Sequence, residues 1–432
     1  MSAESLSRLP TLQTIGGIKI SFITNCFIGL AIFLGGFVTF EPAPYEVVLA
    51  GLIGIGFVFG LRIPAAILPI MIPVFTFTLG GIISSFQIED WYRGMIYNAV
   101  TLFLGLTSVY FAILIANEMG RLRIIFRVYV IAAACTSVLG ILGYFGMPGF
   151  DIFTRYDRAQ GAFADPNVFA PFLIAPILYL IYGIMNRSVT MLPIRAAFLF
   201  IILLGEFLAF SRGGWGITVI TAALFYSLLL LNEPKPQVRA KYILMGVAGL
   251  ATLVIALIAA LQIDAISEIF TQRAQVVQSY DGARVGRFAR HAIGFELALS
   301  KPWGIGNLEF GFLYGEDEHN VYLRSLMSYG WIGFVSWLTI ILWPLIAGFK
   351  SLFLNRPWQV YFQICYVVFF GHLLLAWVID IDHWRHVYLL LGMIWGCILL
   401  EKKHQKAKRT ARKQIKEPSS NQPYSGGMQP AE

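Results

Sequence analysis

Long apolar runs recur along most of this chain, separated by short polar or proline-containing breaks. A helix needs about 20 predominantly apolar residues to cross the hydrocarbon core of a bilayer. The runs predict spans near 20–40, 44–61, 63–86, 95–117, 123–147, 167–186, 193–210, 214–231, 241–262, 321–348, 358–379 and 384–400. Only Leu61, Arg62 and Ile63 separate the second from the third. Strand-like alternation does not run through these segments, which argues against a barrel. The expected fold is therefore an all-α integral membrane protein, a polytopic bundle of about 12 transmembrane helices. Residues 1–262 would hold spans one to nine, 263–320 a large outer loop, 321–402 the last three spans, and 403–432 a basic, partly disordered cytoplasmic tail.

Composition agrees: 57% of the 432 residues are hydrophobic and 13% charged, with mean hydropathy +0.71. A soluble domain carries roughly 25% charged residues. Half that charge on a soluble surface would leave large apolar patches in water. Lys19 precedes a hydrophobic run from Ile20 to Phe40 that is too long for a signal-peptide core and has no small-residue cleavage site after it, so it reads as the first span. Cys26, Cys135, Cys365 and Cys397 each fall inside an apolar span, which fits packing thiols and neither disulfides nor zinc. Much of the +8 net charge sits between Lys402 and Lys416, where it suits anionic membrane lipid and gives no case for nucleic acid.

With both termini in the cytoplasm, the inner segments carry Arg8, Lys19, Arg62, Arg121, Arg123, Arg187, Arg195, Lys235, Arg239, Lys241, Lys350, Arg356 and the basic tail, a positive-inside pattern. The outer segments hold Arg93, Arg155, Arg158, Arg212, Arg273, Arg284, Arg287, Arg290, Arg324 and Arg385, but of the lysines only Lys301. The guanidinium fork suits bidentate capture of phosphate or carboxylate. An outer face that selects arginine points to an anion, or to pairing with local acids and lipid headgroups. Within the long outer loop, the stretch from Arg284 to Leu299 alternates charged and apolar residues at helical spacing, with Arg284, Arg287 and His291 on one face. This predicts an amphipathic helix at the outer membrane surface, ended by Pro302 and Gly304. No phosphate loop, dinucleotide fingerprint or HExxH is present, so the sequence gives no sign of cofactor chemistry.

Three constellations could carry chemistry. Arg158-Ala-Gln-Gly-Ala-Phe-Ala-Asp-Pro-Asn167 lies at the outer mouth of the sixth span. Asp165 and Pro166 read equally as a helix start, which leaves Arg158 and Gln160 unexplained. Ser211-Arg212-Gly213-Gly214 puts a charge between two apolar spans, either for a ligand or for snorkelling to the interface. In Gly315-Glu-Asp-Glu-His-Asn-Val-Tyr-Leu-Arg324, His319 would stand at the outer boundary behind three acids. It reads as a general base, with a divalent-metal site or a polar cap as the alternatives. Asp380-Ile-Asp-His-Trp-Arg-His386, with His372 nearby, is a further acid/base candidate or a packed polar turn.

Together these motifs resemble the O-antigen ligase and polysaccharide polymerase superfamily of bacterial inner-membrane glycosyltransferases. The residues that carry the resemblance are Arg158 with Gly161-Ala-Phe-Ala-Asp-Pro-Asn167, Ser211-Arg-Gly213, Gly304-Ile-Gly306, and His319-Asn-Val-Tyr322 followed by Gly330. The resemblance implies a polyprenyl (undecaprenyl) diphosphate-linked glycan as donor and a hydroxyl on lipid A–core or a growing polysaccharide as acceptor. It further implies a periplasmic site and an inverting transfer that uses neither metal nor cofactor. In that frame His319 and Arg212 are the catalytic residues, and Arg212, Arg287, Arg284 and Arg158 contact the diphosphate. Gln160, Asp165, Asn167, Asn320 and Tyr322 position substrate. The acidic run before His319 has no counterpart in the family pattern. A lipid-linked glycan flippase or other polysaccharide transporter is the alternative from a different class. It too would need many helices and anion-binding arginines, but not a histidine at one outer face.

Overall fold

A computed structural model of the chain describes residues 14–15, 18–40, 42–58, 60–186, 189–274 and 287–416. Most of its sixteen described α-helices follow the apolar runs. They are α1 Ile20–Leu34, α2 Pro44–Val58, α3 Leu68–Ser85, α4 Trp91–Asn117, α5 Arg121–Tyr144, α6 Pro166–Asn186, α7 Leu192–Leu208, α8 Arg212–Asn232, α9 Pro236–Ala260, α10 Asp264–Ala274, α11 Arg287–Ser300, α12 Glu309–Tyr314, α13 Val321–Met327, α14 Gly330–Gly348, α15 Gln359–Leu375 and α16 Arg385–Lys416. Strand structure among the described residues is limited to two small antiparallel hairpins, Thr14–Ile15 with Ile18–Lys19 and Thr154–Arg155 with Arg158–Ala159. Among the described residues, seven helical segments are long and apolar enough to cross a membrane: Ala65–Ser85, Trp91–Asn117, Arg121–Tyr144, Pro166–Asn186, Arg212–Asn232, Pro236–Ala260 and Gly330–Phe353. Shorter apolar helices cover Ser21–Leu34, Pro44–Val58 and Gln359–Leu375. The chain is an all-α polytopic membrane protein.

The clearest sign that lipid is the solvent is α9. None of its most apolar stretch is buried inside the protein, and Leu244, Val247, Leu250, Leu253, Ile255 and Ile258 all stand exposed. A helix that is apolar all round and unburied by protein is stable only in hydrocarbon. Its base is tied to the bundle by Tyr226 Oη donating to Tyr242 O at 3.0 Å and Lys241 Nζ donating to Met185 O at 2.7 Å.

Elsewhere small residues let helices approach closely. Gly392 and Gly396 are spaced Gly-x-x-x-Gly on α16. A Cβ at these positions would lie 2.6 Å from Ser108 O and 2.7 Å from Ile115 Cβ of α4, so the two backbones touch. Proline inside α6 needs a different remedy. Pro176 lacks the N–H that would bond Phe172 C=O, and the Tyr129 hydroxyl of α5 donates to that carbonyl instead, at 2.9 Å.

One expectation needs correction. The run 321–348 is not one span but two helices, α13 and α14, because Gly330 adopts φ +71°. A Cβ there would lie 2.7 Å from Pro302 O and 3.0 Å from Gly304 N, so the break is locked against the chain at Gly304-Ile-Gly306. Ile305 N bonds Met327 O at 2.9 Å and Trp331 N bonds Pro302 O at 3.0 Å. The last helix extends past its apolar residues. α16 runs on through Lys416, so the first part of the expected basic tail is helical, and residues 417–432 lie outside the described residues. Within the stretch expected to form an amphipathic helix, Arg287–Ser300 is helical as α11, and Arg284 lies outside the described residues.

Tyr129→Phe removes the donor that replaces the missing proline amide and leaves a buried carbonyl unbonded. The expected loss is about 1–2 kcal/mol, read as a lower midpoint of thermal unfolding in detergent. An unchanged midpoint would remove this role from Tyr129.

Candidate functional site

The first two sequence constellations meet in one polar knot. A tight turn with Tyr156 and Asp157 both at φ +55° delivers Arg158 into the protein, where it is 5% exposed. Its Nε donates to Ala209 O at 2.7 Å and its Nη2 to Asn167 Oδ1 at 2.8 Å. Ser211 Oγ reaches the same Asn167 oxygen at 3.0 Å and accepts from Gly214 N at 3.2 Å, capping α8. Phe210, immediately before, holds φ +44°, an unfavourable conformation for a bulky residue that fixes how the chain enters Arg212. Asp165 Oδ1 accepts from Asn167 N at 2.6 Å, so its carboxylate closes the start of α6. Gln160 Nε2 donates to Ile152 O at 3.0 Å. In this arrangement Arg158, Asp165 and Asn167 set the shape of the Ser211–Arg212 turn.

The third and fourth constellations form a second cluster. His319 sits at φ +51°. Its Nδ1 is 3.1 Å from Asp380 Oδ2 and its Nε2 is 3.3 Å from Glu316 Oε1. Arg290 of α11 pairs with Glu316, and His291 Nε2 lies 2.8 Å from Glu318 O. The centre of the cluster is Arg324. Its guanidinium meets Glu318 Oε1 at 2.7 Å, Asp317 Oδ2 at 2.8 Å, Asp380 Oδ2 at 3.1 Å and Asp382 Oδ1 at 3.7 Å. It also donates to Tyr97 Oη at 3.2 Å, and that hydroxyl donates onward to Asp382 Oδ2 at 2.9 Å. The acidic run that fits no family pattern is thus half of the shell around a buried guanidinium. The acids close on Arg324, and no group of His, Cys, Asp and Glu side chains among the described residues is arranged to hold a metal.

The cluster from Asp380 to His386 divides its duties. Asp380 and Asp382 face Arg324, while His383 stacks on Tyr97 at 3.8 Å between ring centroids. Arg385 Nε reaches Glu46 Oε1 at 2.6 Å, and His386 Nε2 lies 3.1 Å from His372 Nε2 inside the core. Asn320 and Tyr322 serve the fold: Asn320 Oδ1 accepts from Leu323 N at 3.1 Å to cap α13, and Tyr322 Oη donates to Leu373 O at 2.8 Å.

The two clusters share one support, the last turn of α15. A Cβ on Gly213 would lie 2.6 Å from Leu375 Cδ1, and Val321 N bonds Ala376 O at 3.0 Å. Arg212, which opens α8, and His319, two residues before α13, therefore lie at the same end of α15. Beside them α11 packs on α13, with Gly294 against Leu323, and Arg287 opens that helix one turn before Arg290 and His291. Arg290, Arg324 and Tyr97 were not singled out as site residues by the sequence, and Asp380 and Asp382 only within a further acid/base candidate. Arg290 and Arg324 were visible as outer arginines and the two aspartates as part of a loose cluster, but their pairing spans too much chain to read from spacing.

Electrostatics follow from these neighbours. The hydrogen bond to Asp380 lifts the His319 pKa above its ordinary value, burial opposes this, and the Asp380 and Glu316 charges add to the lift. The Arg290 hydrogen bond holds Glu316 below the usual carboxylate range, and burial pushes Glu318 upward.

Arg324→Met leaves Asp317, Glu318, Asp380 and Asp382 facing one another without their cation. The expected cost is about 3–5 kcal/mol near neutral pH. The carboxyl pKa values then rise in the folded state, so the destabilisation shrinks as pH falls and the acids take up protons. Thermal unfolding of the purified variant from neutral to acid pH measures both; a cost that is small or independent of pH would contradict the charge assignment.

No curated protein matches the chain. Residues 197–338 match the family model described as O-antigen ligase. That segment holds Ser211-Arg212-Gly213, α11, His319, Arg324 and Gly330, whereas Arg158–Asn167 and Asp380–His386 lie outside it. By this match, the part of the chain that carries Arg212 and His319 is similar to the O-antigen ligase family.

Proposed function

We propose that the protein is a glycosyltransferase that moves a glycan from a polyprenyl (undecaprenyl) diphosphate to an acceptor hydroxyl on lipid A–core or a growing polysaccharide. The reading places twelve spans in a bacterial inner membrane, both termini in the cytoplasm and the site on the periplasmic side. The observation that carries it is the His319–Asp380 pair, set at the same end of α15 as Arg212.

Asp380 holds the Nδ1–H of His319 and leaves Nε2 for the acceptor, which takes the place of Glu316. As the acceptor oxygen bonds to the anomeric carbon, its proton passes to Nε2. The bond from that carbon to the diphosphate breaks, and its electron pair leaves with the diphosphate. Attack opposite the leaving group inverts the carbon. Arg212, with Arg284 and Arg287, balances the charge that develops on the diphosphate. Arg158 shapes the turn that presents Arg212. No step calls on a metal or cofactor.

The test mixes purified protein with polyprenyl-diphosphate glycan and either lipid A–core or lipid-linked repeat units, with and without EDTA. Product on lipid A–core identifies a ligase, and lengthened lipid-linked glycan a polymerase. His319→Ala should lower turnover by about 10²–10⁴-fold, and Arg212→Ala by about 10²–10³-fold, in protein that remains folded. His319 must be neutral to accept a proton, so wild-type activity should fall as pH drops through a value above about 6.5, the ordinary histidine pKa. Asp380→Asn removes the anion that favours the imidazolium and should move that limb to lower pH. Glycan crossing a reconstituted bilayer with no transfer to either acceptor would overturn the enzyme reading in favour of a transporter.

A further inference from the structure

We infer that Trp377 is the stacking platform for the acceptor's reacting sugar ring, an inference that rests on the proposed glycosyl transfer. Trp377 lies in the turn between α15 and α16 and is 57% exposed. One side of the indole is backed by Tyr322, with ring centroids 4.5 Å apart and planes inclined at 36°. Tyr322 is itself fixed, since its hydroxyl donates to Leu373 O at 2.8 Å. The platform is therefore held in place while much of its surface stays open.

Its neighbours decide what it suits. Val321 N bonds Ala376 O at 3.0 Å, so the segment leading from His319 runs beside the segment leading to Trp377. Three residues beyond Trp377, Asp380 holds His319 Nδ1 at 3.1 Å. Glu316, with its side chain 61% exposed, stands on the other ring nitrogen. A pyranose has a face of C–H bonds and a rim of hydroxyls. The apolar face matches an indole, and the rim matches carboxylates and an imidazole. An acyl chain would gain nothing from those charges, and a tryptophan that serves only as an interfacial anchor has no need of them. Because the platform flanks the base that deprotonates the acceptor, the ring it holds is the acceptor's.

Steady-state transfer should show Trp377→Ala raising the acceptor KM by up to about tenfold, the scale of an aromatic stacking contact, with the donor KM unchanged. Trp377→Phe should keep much of the wild-type acceptor KM. An unchanged acceptor KM in Trp377→Ala, or a rise in the donor KM instead, would overturn the inference. A second arm needs no turnover: delipidated core oligosaccharide and repeat-unit oligosaccharide are titrated into wild type and Trp377→Phe while tryptophan fluorescence is followed. A saccharide-dependent change present in wild type and lost in Trp377→Phe supports the platform even if the protein transfers nothing, in which case only the glycosyltransferase reading fails. No change in wild type, or the same change in both proteins, removes Trp377 from glycan binding.

Discussion

A guanidinium buried among four carboxylates organises the end of this protein that carries His319. An unpaired charge away from water is costly, and a pair survives there only when its hydrogen-bonding capacity is met. Arg324 meets this demand by drawing in Asp317 and Glu318 from the segment before α13, Asp380 and Asp382 from the turn before α16, and Tyr97 from α4. Three distant stretches of chain are thereby fixed to one point. His319, between the acids and α13, inherits both its position and its partner Asp380 from that arrangement.

The glycine pattern supports the same point from below. The left-handed turn at Gly330 breaks the apolar run, ends α13 and turns the chain toward α14. The spacing between His319 and Gly330 is thus the length of a short helix plus its break. Gly304 packs into that break with backbone against backbone, which ties the segment after α11 to α13 and places Arg290 near Glu316. Fold and site share these residues.

How much of this the sequence showed depends on the kind of information required. Each apolar run became helix, because in lipid the backbone must bond to itself. Hydropathy alone nonetheless missed the break at Gly330, since an apolar run carries no record of one residue's φ. The helix-start reading of Asp165 was correct at the level of its hydrogen bond, and Asn320 likewise caps a helix. Arg324 and Asp380 were each visible, but nothing in the spacing of residues 56 positions apart joins them. The acidic run looked like an anomaly because its cation lies farther along the chain and in three dimensions at its centre.

The isolation of α9 has its own consequence. Among the described residues its ties to the bundle lie near Tyr242, and the rest of its length is bathed in hydrocarbon. Packing along its length therefore does little to fix its tilt, and a mismatch with the bilayer can be taken up by tilting. At its far end the chain turns into α10, whose Phe270 stacks on Trp215 at 5.6 Å, one turn into the helix that Arg212 begins. A thicker or thinner bilayer would pull on that aromatic contact through α9, making lipid chain length a mechanical input to the neighbourhood of Arg212.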